Sequence, residues 1–105
     1  MKQIDINGEF EEKLRRITNH FGIDTQLIKL NEEMGELLNE GYRNVYKADA
    51  KEQLEDETAD VLNVLIQVML YFDLDWSRIG EVMNKKVNRC LDRIDNTDYY
   101  STHTR

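Results

Sequence analysis

Three observations predict an all-α fold for this chain of 105 residues. It contains no proline, the residue that interrupts helices most strongly. Apolar residues recur every three to four positions in four successive segments, which is the helical period. Turn or cap residues lie between these segments. We therefore expect a four-helix bundle, with helices over residues 9–21, 25 to about 42, 50–72 and 76–94.

The first two predicted helices meet at a glycine. Asn7 and Gly8 form a turn or cap before the first helix, and Gly22 ends it. Asp24 or Thr25 would then cap the second helix. Each helix has one apolar stripe and should bury it. The stripes are Phe10, Leu14, Ile17 and Phe21 in the first helix, and Leu27, Leu30, Met34, Leu37 and Leu38 in the second.

The third predicted helix has a broad apolar face, as expected of the central helix of a bundle. That face comprises Leu54, Val61, Leu62, Val64, Leu65, Val68, Met69 and Phe72. Glu57 falls within it, in line with Val61 and Val64. Because an ionised carboxylate is costly to bury alone, Glu57 is expected to have a partner or a bound metal ion.

The fourth predicted helix, capped by Asp75, combines an apolar face with a basic ridge. Its apolar positions are Ile79, Val82, Met83, Val87, Cys90, Leu91 and Ile94. The basic ridge consists of Lys86, Arg89 and Arg93, spaced i, i+3 and i+7. Taken alone, such a ridge is more often a set of solvated or salt-bridging cations. Beside a carboxylate–metal cluster it would be suited to contacting phosphate.

Length and composition limit the class of protein. We expect one domain over residues 1–95, a flexible polar tail over 96–105, and association into a homodimer or homotetramer, because a short chain buries too little surface. The net charge of −7 argues against nucleic acid or an anionic membrane as a partner. With no long apolar run and only one cysteine, the protein is expected to be soluble and cytoplasmic.

Two acidic patches, at residues 29–38 and 55–65, suggest the chemistry. Each places carboxylates at i and i+3 or i+4 on one helical face, where like charges repel by roughly 0.2–0.5 kcal/mol per exposed pair. A divalent cation would compensate for this repulsion. Neither patch contains histidine, so carboxylate oxygens would favour Mg²⁺, with Mn²⁺ as a substitute, over zinc or iron. Because Mg²⁺ commonly shares its coordination with substrate phosphates, the patches indicate phosphoanhydride hydrolysis by an activated water.

The motifs Glu32-Glu33-x-x-Glu36 and Glu57-x-x-Asp60 resemble the EExxE and ExxD signature of the MazG-like all-α nucleotide pyrophosphohydrolases. That superfamily also includes dimeric dUTPases and phosphoribosyl-ATP pyrophosphatases. The resemblance implies Mg²⁺-dependent hydrolysis of a nucleoside triphosphate to the monophosphate and pyrophosphate. It also implies that Glu33, Glu36, Glu57 and Asp60 are metal ligands, while Glu32 or Glu33 serves as the general base.

The basic ridge takes part in the same resemblance. Lys86 and Arg93 match positions that contact phosphate in the family, and Arg89 lies between them. Cys90 occupies a position where many relatives have asparagine, so one polar substrate contact is not matched. Two alternatives stay open: a dUTP or phosphoribosyl-nucleotide substrate, or a non-catalytic homo-oligomeric bundle whose acids are simply solvated. The place of Glu57 on an apolar face distinguishes the enzyme from the non-catalytic bundle.

Overall fold

The computed structural model describes residues 4–47 and 51–96, which form four α-helices and no strand. The predicted all-α class is confirmed. No helix in these residues combines the length and the apolar character that crossing a membrane requires. The helices are α1 (Gly8–Phe21), α2 (Ile23–Tyr46), α3 (Lys51–Tyr71) and α4 (Trp76–Asp95).

Side-chain caps begin α1 and α4 as the sequence predicted. The backbone N–H of Phe10 donates to the Asn7 side chain at 2.9 Å. In the same way, the backbone N–H of Arg78 donates to Asp75 at 3.1 Å. Each bond satisfies an amide that the helix itself leaves unpaired, which typically contributes ~1 kcal/mol.

A single residue, Gly22, makes the turn between α1 and α2. Its φ of +93° lies in a region that glycine adopts readily and other residues avoid. Its N–H donates to the Thr18 carbonyl, and its own carbonyl accepts from the N–H of Gln26. Because the glycine alone makes the turn, α2 begins at Ile23 with no side-chain cap. The expected caps, Asp24 and Thr25, instead lie within the helix.

Two other predicted boundaries shift or fall outside the described residues. The second helix continues past residue 42 to Tyr46, and the N–H of Lys47 donates to the Arg43 carbonyl at 2.7 Å. The expected start of the third helix at residue 50 lies outside the described residues, within which α3 begins at Lys51. Of the expected tail, only Asn96 is described, and it caps the end of α4.

The chain divides into two compact units, one ending at Asp73 and the other beginning at Leu74. The first contains α1, α2 and α3, and the second contains α4. The expectation of one domain over residues 1–95 stays a prediction. Within the first unit, α2 packs most extensively on α3, and α1 packs on both. The buried apolar residues of this unit are Leu14, Val64, Ile66 and Leu70.

The inward face of α2 only partly coincides with the stripe that hydrophobicity predicted. Gln26 and Glu33 are buried, whereas Leu27, Met34 and Leu38 are exposed. Leu30 and Leu37 of the predicted stripe are half-buried, at helical spacing from the two buried polar residues. The packing of α2 on α3 therefore turns an acidic residue inward and leaves several large apolar side chains at the surface.

Candidate metal centre

Carboxylates from the two acidic patches meet where α2 packs on α3. One side-chain oxygen each from Glu33, Glu36 and Glu57 lies within 4.8 Å of the other two. Glu33 and Glu36 share a face of α2 because residues three apart lie one above the other on a helix. Asp60, one turn after Glu57 on α3, joins them through a hydrogen bond with the Glu33 side chain. We call these four residues the carboxylate cluster.

Two members of this cluster are withdrawn from solvent, whereas Glu36 and Asp60 are exposed. The Glu33 residue is only 8% exposed. Glu57 is half-buried, and its Oε1 is buried with no hydrogen-bond partner among the described residues. Because a buried polar atom without a partner lowers stability, it is uncommon in folded proteins. The prediction from sequence that Glu57 would need a partner thus corresponds to an unpaired oxygen in the structure.

The surroundings raise the pKa of Glu33 and of Glu57. Burial, followed by the hydrogen bond and the charge of Asp60 and then the charge of Glu36, raises the pKa of Glu33 from 4.5 to about 7. Burial, followed by the charges of Glu36 and Asp60, also raises the pKa of Glu57. The hydrogen bond to Asp60 and the repulsion from the neighbouring acids both favour the protonated form of Glu33.

The lysine and arginine side chains of the described residues compensate little of the negative charge of the carboxylate cluster. No lysine or arginine in residues 4–47 and 51–96 forms a salt bridge with a member of the carboxylate cluster. The neighbouring Glu40 differs, because Arg43 pairs with it at 3.0 Å. Lys29, one turn before Glu33, lowers the pKa of Glu33, but by less than burial and the acids raise it. Sequence reasoning overlooked Lys29, although its i, i+4 spacing to Glu33 was visible.

The donor set fits a hard divalent cation. Mg²⁺ and Mn²⁺ prefer oxygen ligands, and carboxylates are the only side chains in the cluster. A bound cation would satisfy the unpaired Oε1 of Glu57 and offset the repulsion that raises the pKa values. Zinc sites are instead built mainly from cysteine and histidine, which this cluster lacks.

The other site residues predicted from sequence are Glu32 on α2 and the basic ridge on α4. Glu32 is exposed on α2, one position before the buried Glu33. Lys86, Arg89 and Arg93 are exposed on α4, in the second unit. Arg89 and Arg93 line a small cavity of about 260 Å³ on that helix.

A second feature of the first unit adjoins the carboxylate cluster. A cavity of about 390 Å³, which we call the amide-lined cavity, lies among α1, α2 and α3, and Asp60 lines it. Gln26 and Gln67, which are 2% and 3% exposed, also line it. Sequence reasoning missed Gln26, whose only signal was its i, i+7 spacing to Glu33 on the inward face of α2.

The structure thus brings together the four acids predicted to hold a metal ion. Glu32 lies beside them in sequence, and the basic ridge belongs to the second unit. Their membership in a MazG-like site stays a prediction based on the two motifs. Comparison with protein-family models, curated proteins and solved structures finds no significant match to this chain.

Proposed function

We propose that this chain is a Mg²⁺-dependent nucleoside triphosphate pyrophosphohydrolase that converts a nucleotide or deoxynucleotide triphosphate to the monophosphate and pyrophosphate. Such an activity would remove unwanted nucleotides from the cellular pool. The observation that carries the proposal is the convergence of side-chain oxygens of Glu33, Glu36 and Glu57 within 4.8 Å, together with a buried Glu57 oxygen that has no partner among the described residues. A solvated acidic face would have no reason to bury that oxygen, which counts against a non-catalytic bundle.

Each acid has a role in this proposal. The carboxylate cluster would hold Mg²⁺, with Mn²⁺ as a substitute, and the bound cation would draw phosphate oxygens together and acidify water. A bound cation would lower the raised pKa of Glu33, so that pKa does not select between the two neighbouring acids as the general base. Glu33 lies inside the cluster, and the exposed Glu32 lies one position before it. These two glutamates are the candidates for the group that accepts the proton of the attacking water.

The basic ridge would supply the phosphate contacts that the carboxylate cluster lacks. A cluster of acids repels phosphate oxygens, so the triphosphate also needs cationic partners. Lys86, Arg89 and Arg93 are exposed and follow the spacing that places them on one side of α4. Arginine and lysine form charge-assisted hydrogen bonds to phosphate.

We expect Lys86→Ala to lower the turnover of a nucleoside triphosphate about tenfold or more, because it removes one charge-assisted phosphate contact. Mg²⁺ binding, measured by calorimetry without nucleotide, should stay unchanged. Lys85→Ala is the matched control, since Lys85 is exposed on the same helix one position away from the ridge. Equal losses in the two variants would show that only the net charge of α4 matters.

We further propose that a homodimer or homotetramer completes a four-helix, MazG-like bundle. Exposed apolar side chains occur on both units, among them Leu38, which is 60% exposed, and Leu91, which is 50% exposed. Large exposed apolar patches commonly mark interfaces between chains. Sedimentation at micromolar concentration should give twice or four times the mass of the chain. Leu38→Lys should shift that mass towards the monomer, and a wild-type chain that sediments as a stable monomer would contradict the proposal.

A substrate screen with isotope-labelled water tests the function itself. The chain is incubated with Mg²⁺ and, in separate reactions, with each common NTP, each common dNTP, dUTP and phosphoribosyl-ATP. Pyrophosphate and orthophosphate are measured separately. In ¹⁸O water, attack at the α-phosphorus places the label in the nucleoside monophosphate. Label in orthophosphate would indicate attack at the γ-phosphorus and a different enzyme. If no substrate is hydrolysed, the result would favour the alternative of a non-catalytic homo-oligomeric bundle.

A further inference from the structure

We propose that the amide-lined cavity receives the nucleobase of the substrate, and that Gln26 recognises an N–H group at the edge of that base. This inference rests on the proposed function, because the carboxylate cluster would hold the triphosphate end of the same molecule. It adds a base-binding site, with a named residue, to a reaction that otherwise concerns only the phosphates.

Position is the first argument. Asp60 belongs to the carboxylate cluster and also lines the amide-lined cavity, so the two are adjacent within the first unit. A nucleotide whose phosphates lie at the cluster therefore has the cavity next to it. The volume of about 390 Å³ falls within the range of roughly 300–1,000 Å³ that is usual for small-molecule sites.

The lining is the second argument. Small-molecule sites typically combine apolar walls with a few polar groups that fix the orientation of the ligand. Here Ile17, Phe21 and Val64 provide apolar surface, while Gln26 and Gln67 provide amides. The Phe21 ring is part of an exposed residue, and an aromatic ring of this kind can stack on a planar base.

The state of Gln26 is the third argument. The residue is 2% exposed, yet its Oε1 has no hydrogen-bond partner among the described residues. Gln67 provides the contrast, because its buried amide lies 2.9 Å from the Thr18 hydroxyl. Every nucleobase carries a ring N–H, an exocyclic amino group or both at its edge, and such groups donate to a carbonyl oxygen. Because Gln26 lines the cavity, a base that displaces the atoms covering this oxygen would provide the donor that Gln26 lacks.

A larger cavity of about 670 Å³ lacks these features. Ile6, Leu54 and Leu62 are among its lining residues, and its lining includes no member of the carboxylate cluster. It also contains neither buried glutamine. Its volume alone would favour this cavity. However, it lacks a buried glutamine to bind a base, and it lacks a cluster residue that would place the base next to a triphosphate.

The test compares a ligand that has a base with one that has none. Binding of a non-hydrolysable nucleotide analogue and of inorganic triphosphate is measured by calorimetry with Mg²⁺, in wild type and in Gln26→Leu. Leucine has a similar size and removes the unpaired oxygen, so the variant should fold. We expect the dissociation constant for the nucleotide to rise about tenfold, as for the loss of one hydrogen bond, and that for inorganic triphosphate to stay constant.

Two further variants make the result decisive. Gln53→Leu is the matched control, since Gln53 is exposed on α3 and should leave nucleotide affinity unchanged. Phe21→Leu alters an exposed position at the cavity and should also weaken nucleotide binding. It replaces Gln26→Leu as the test if that variant does not fold. Unchanged nucleotide affinity in Gln26→Leu, or in Phe21→Leu if the glutamine variant does not fold, would overturn the inference. So would equal affinity of the wild type for nucleotide and inorganic triphosphate. Failure of the wild type to bind either ligand would instead overturn the proposed function.

Discussion

Glu57→Gln should abolish Mg²⁺-dependent hydrolysis while leaving the chain folded. Loss of a residue that merely orients a metal ligand costs roughly 10–100-fold in activity or affinity, and loss of a ligand itself should cost more. Glutamine has nearly the same shape as glutamate but no charge. It therefore relieves the repulsion from Glu36 and Asp60 that helps to raise the pKa of Glu57. The cation-free variant should be at least as stable as the wild type.

Pyrophosphate release and thermal unfolding together check this expectation. Glu55→Gln is the matched control, because Glu55 is exposed on the same helix and lies outside the carboxylate cluster. It should retain both activity and stability. Full activity in Glu57→Gln would show that Glu57 is not a ligand. A variant that unfolds would show that its carboxylate stabilises the chain through a contact and is not a source of repulsion.

Local sequence signals predicted most of the helices, because helix formation depends largely on neighbours three or four residues away. Asn7 and Asp75 were recognisable as caps for the same reason. The turn at Gly22 was harder to predict. Asp24 and Thr25 have a higher preference for cap positions, but a glycine with positive φ allows the next helix to begin at once.

Which face of α2 turns inward could not be read from that helix alone. Its leucines form the more apolar stripe, yet Leu27 and Leu38 are exposed while Gln26 and Glu33 are buried. The choice depends on what α3 offers to pack against, and this information lies about thirty residues further along the chain. The sequence of α3 gave one indication, since Glu57 interrupts the apolar face of that helix.

The two parts of the candidate site differ in how far sequence can describe them. Spacing within α2 and α3, together with the resemblance of their motifs, was enough to identify Glu33, Glu36, Glu57 and Asp60 as one group. The amide-lined cavity has walls from three helices, and no spacing within a single helix describes it. The basic ridge is likewise defined only along α4, so its approach to phosphate stays a prediction.

Glu33 should make the cation-free chain less stable as the pH rises from about 5 to 8. Its pKa is about 7 in the folded chain, against an ordinary value of 4.5. At a pH between these two pKa values, Glu33 holds a proton in the folded chain that it has released in the unfolded chain. Since the unfolded state then binds fewer protons, the free energy of unfolding falls as the pH rises, and the loss is complete above the folded-state pKa. The raised pKa of Glu57 acts in the same direction.

Mg²⁺ should reverse this trend, because a cation bound to the carboxylate cluster competes with the proton on Glu33. The increase in Tm caused by saturating Mg²⁺ should therefore be greater at pH 8 than at pH 6. For a domain of this size, ~1 kcal/mol corresponds to about 4–8 °C, and we expect a difference of that order.

Glu33→Gln cannot titrate at this position, so its Tm without cation should vary less with pH, and Mg²⁺ should raise it little at either pH. Thermal unfolding at both pH values, with and without Mg²⁺, measures all of these quantities. If the variant and the wild type showed the same pH dependence, the proton bound by Glu33 would not affect stability. The raised pKa of Glu33 would then no longer support cation binding at the carboxylate cluster.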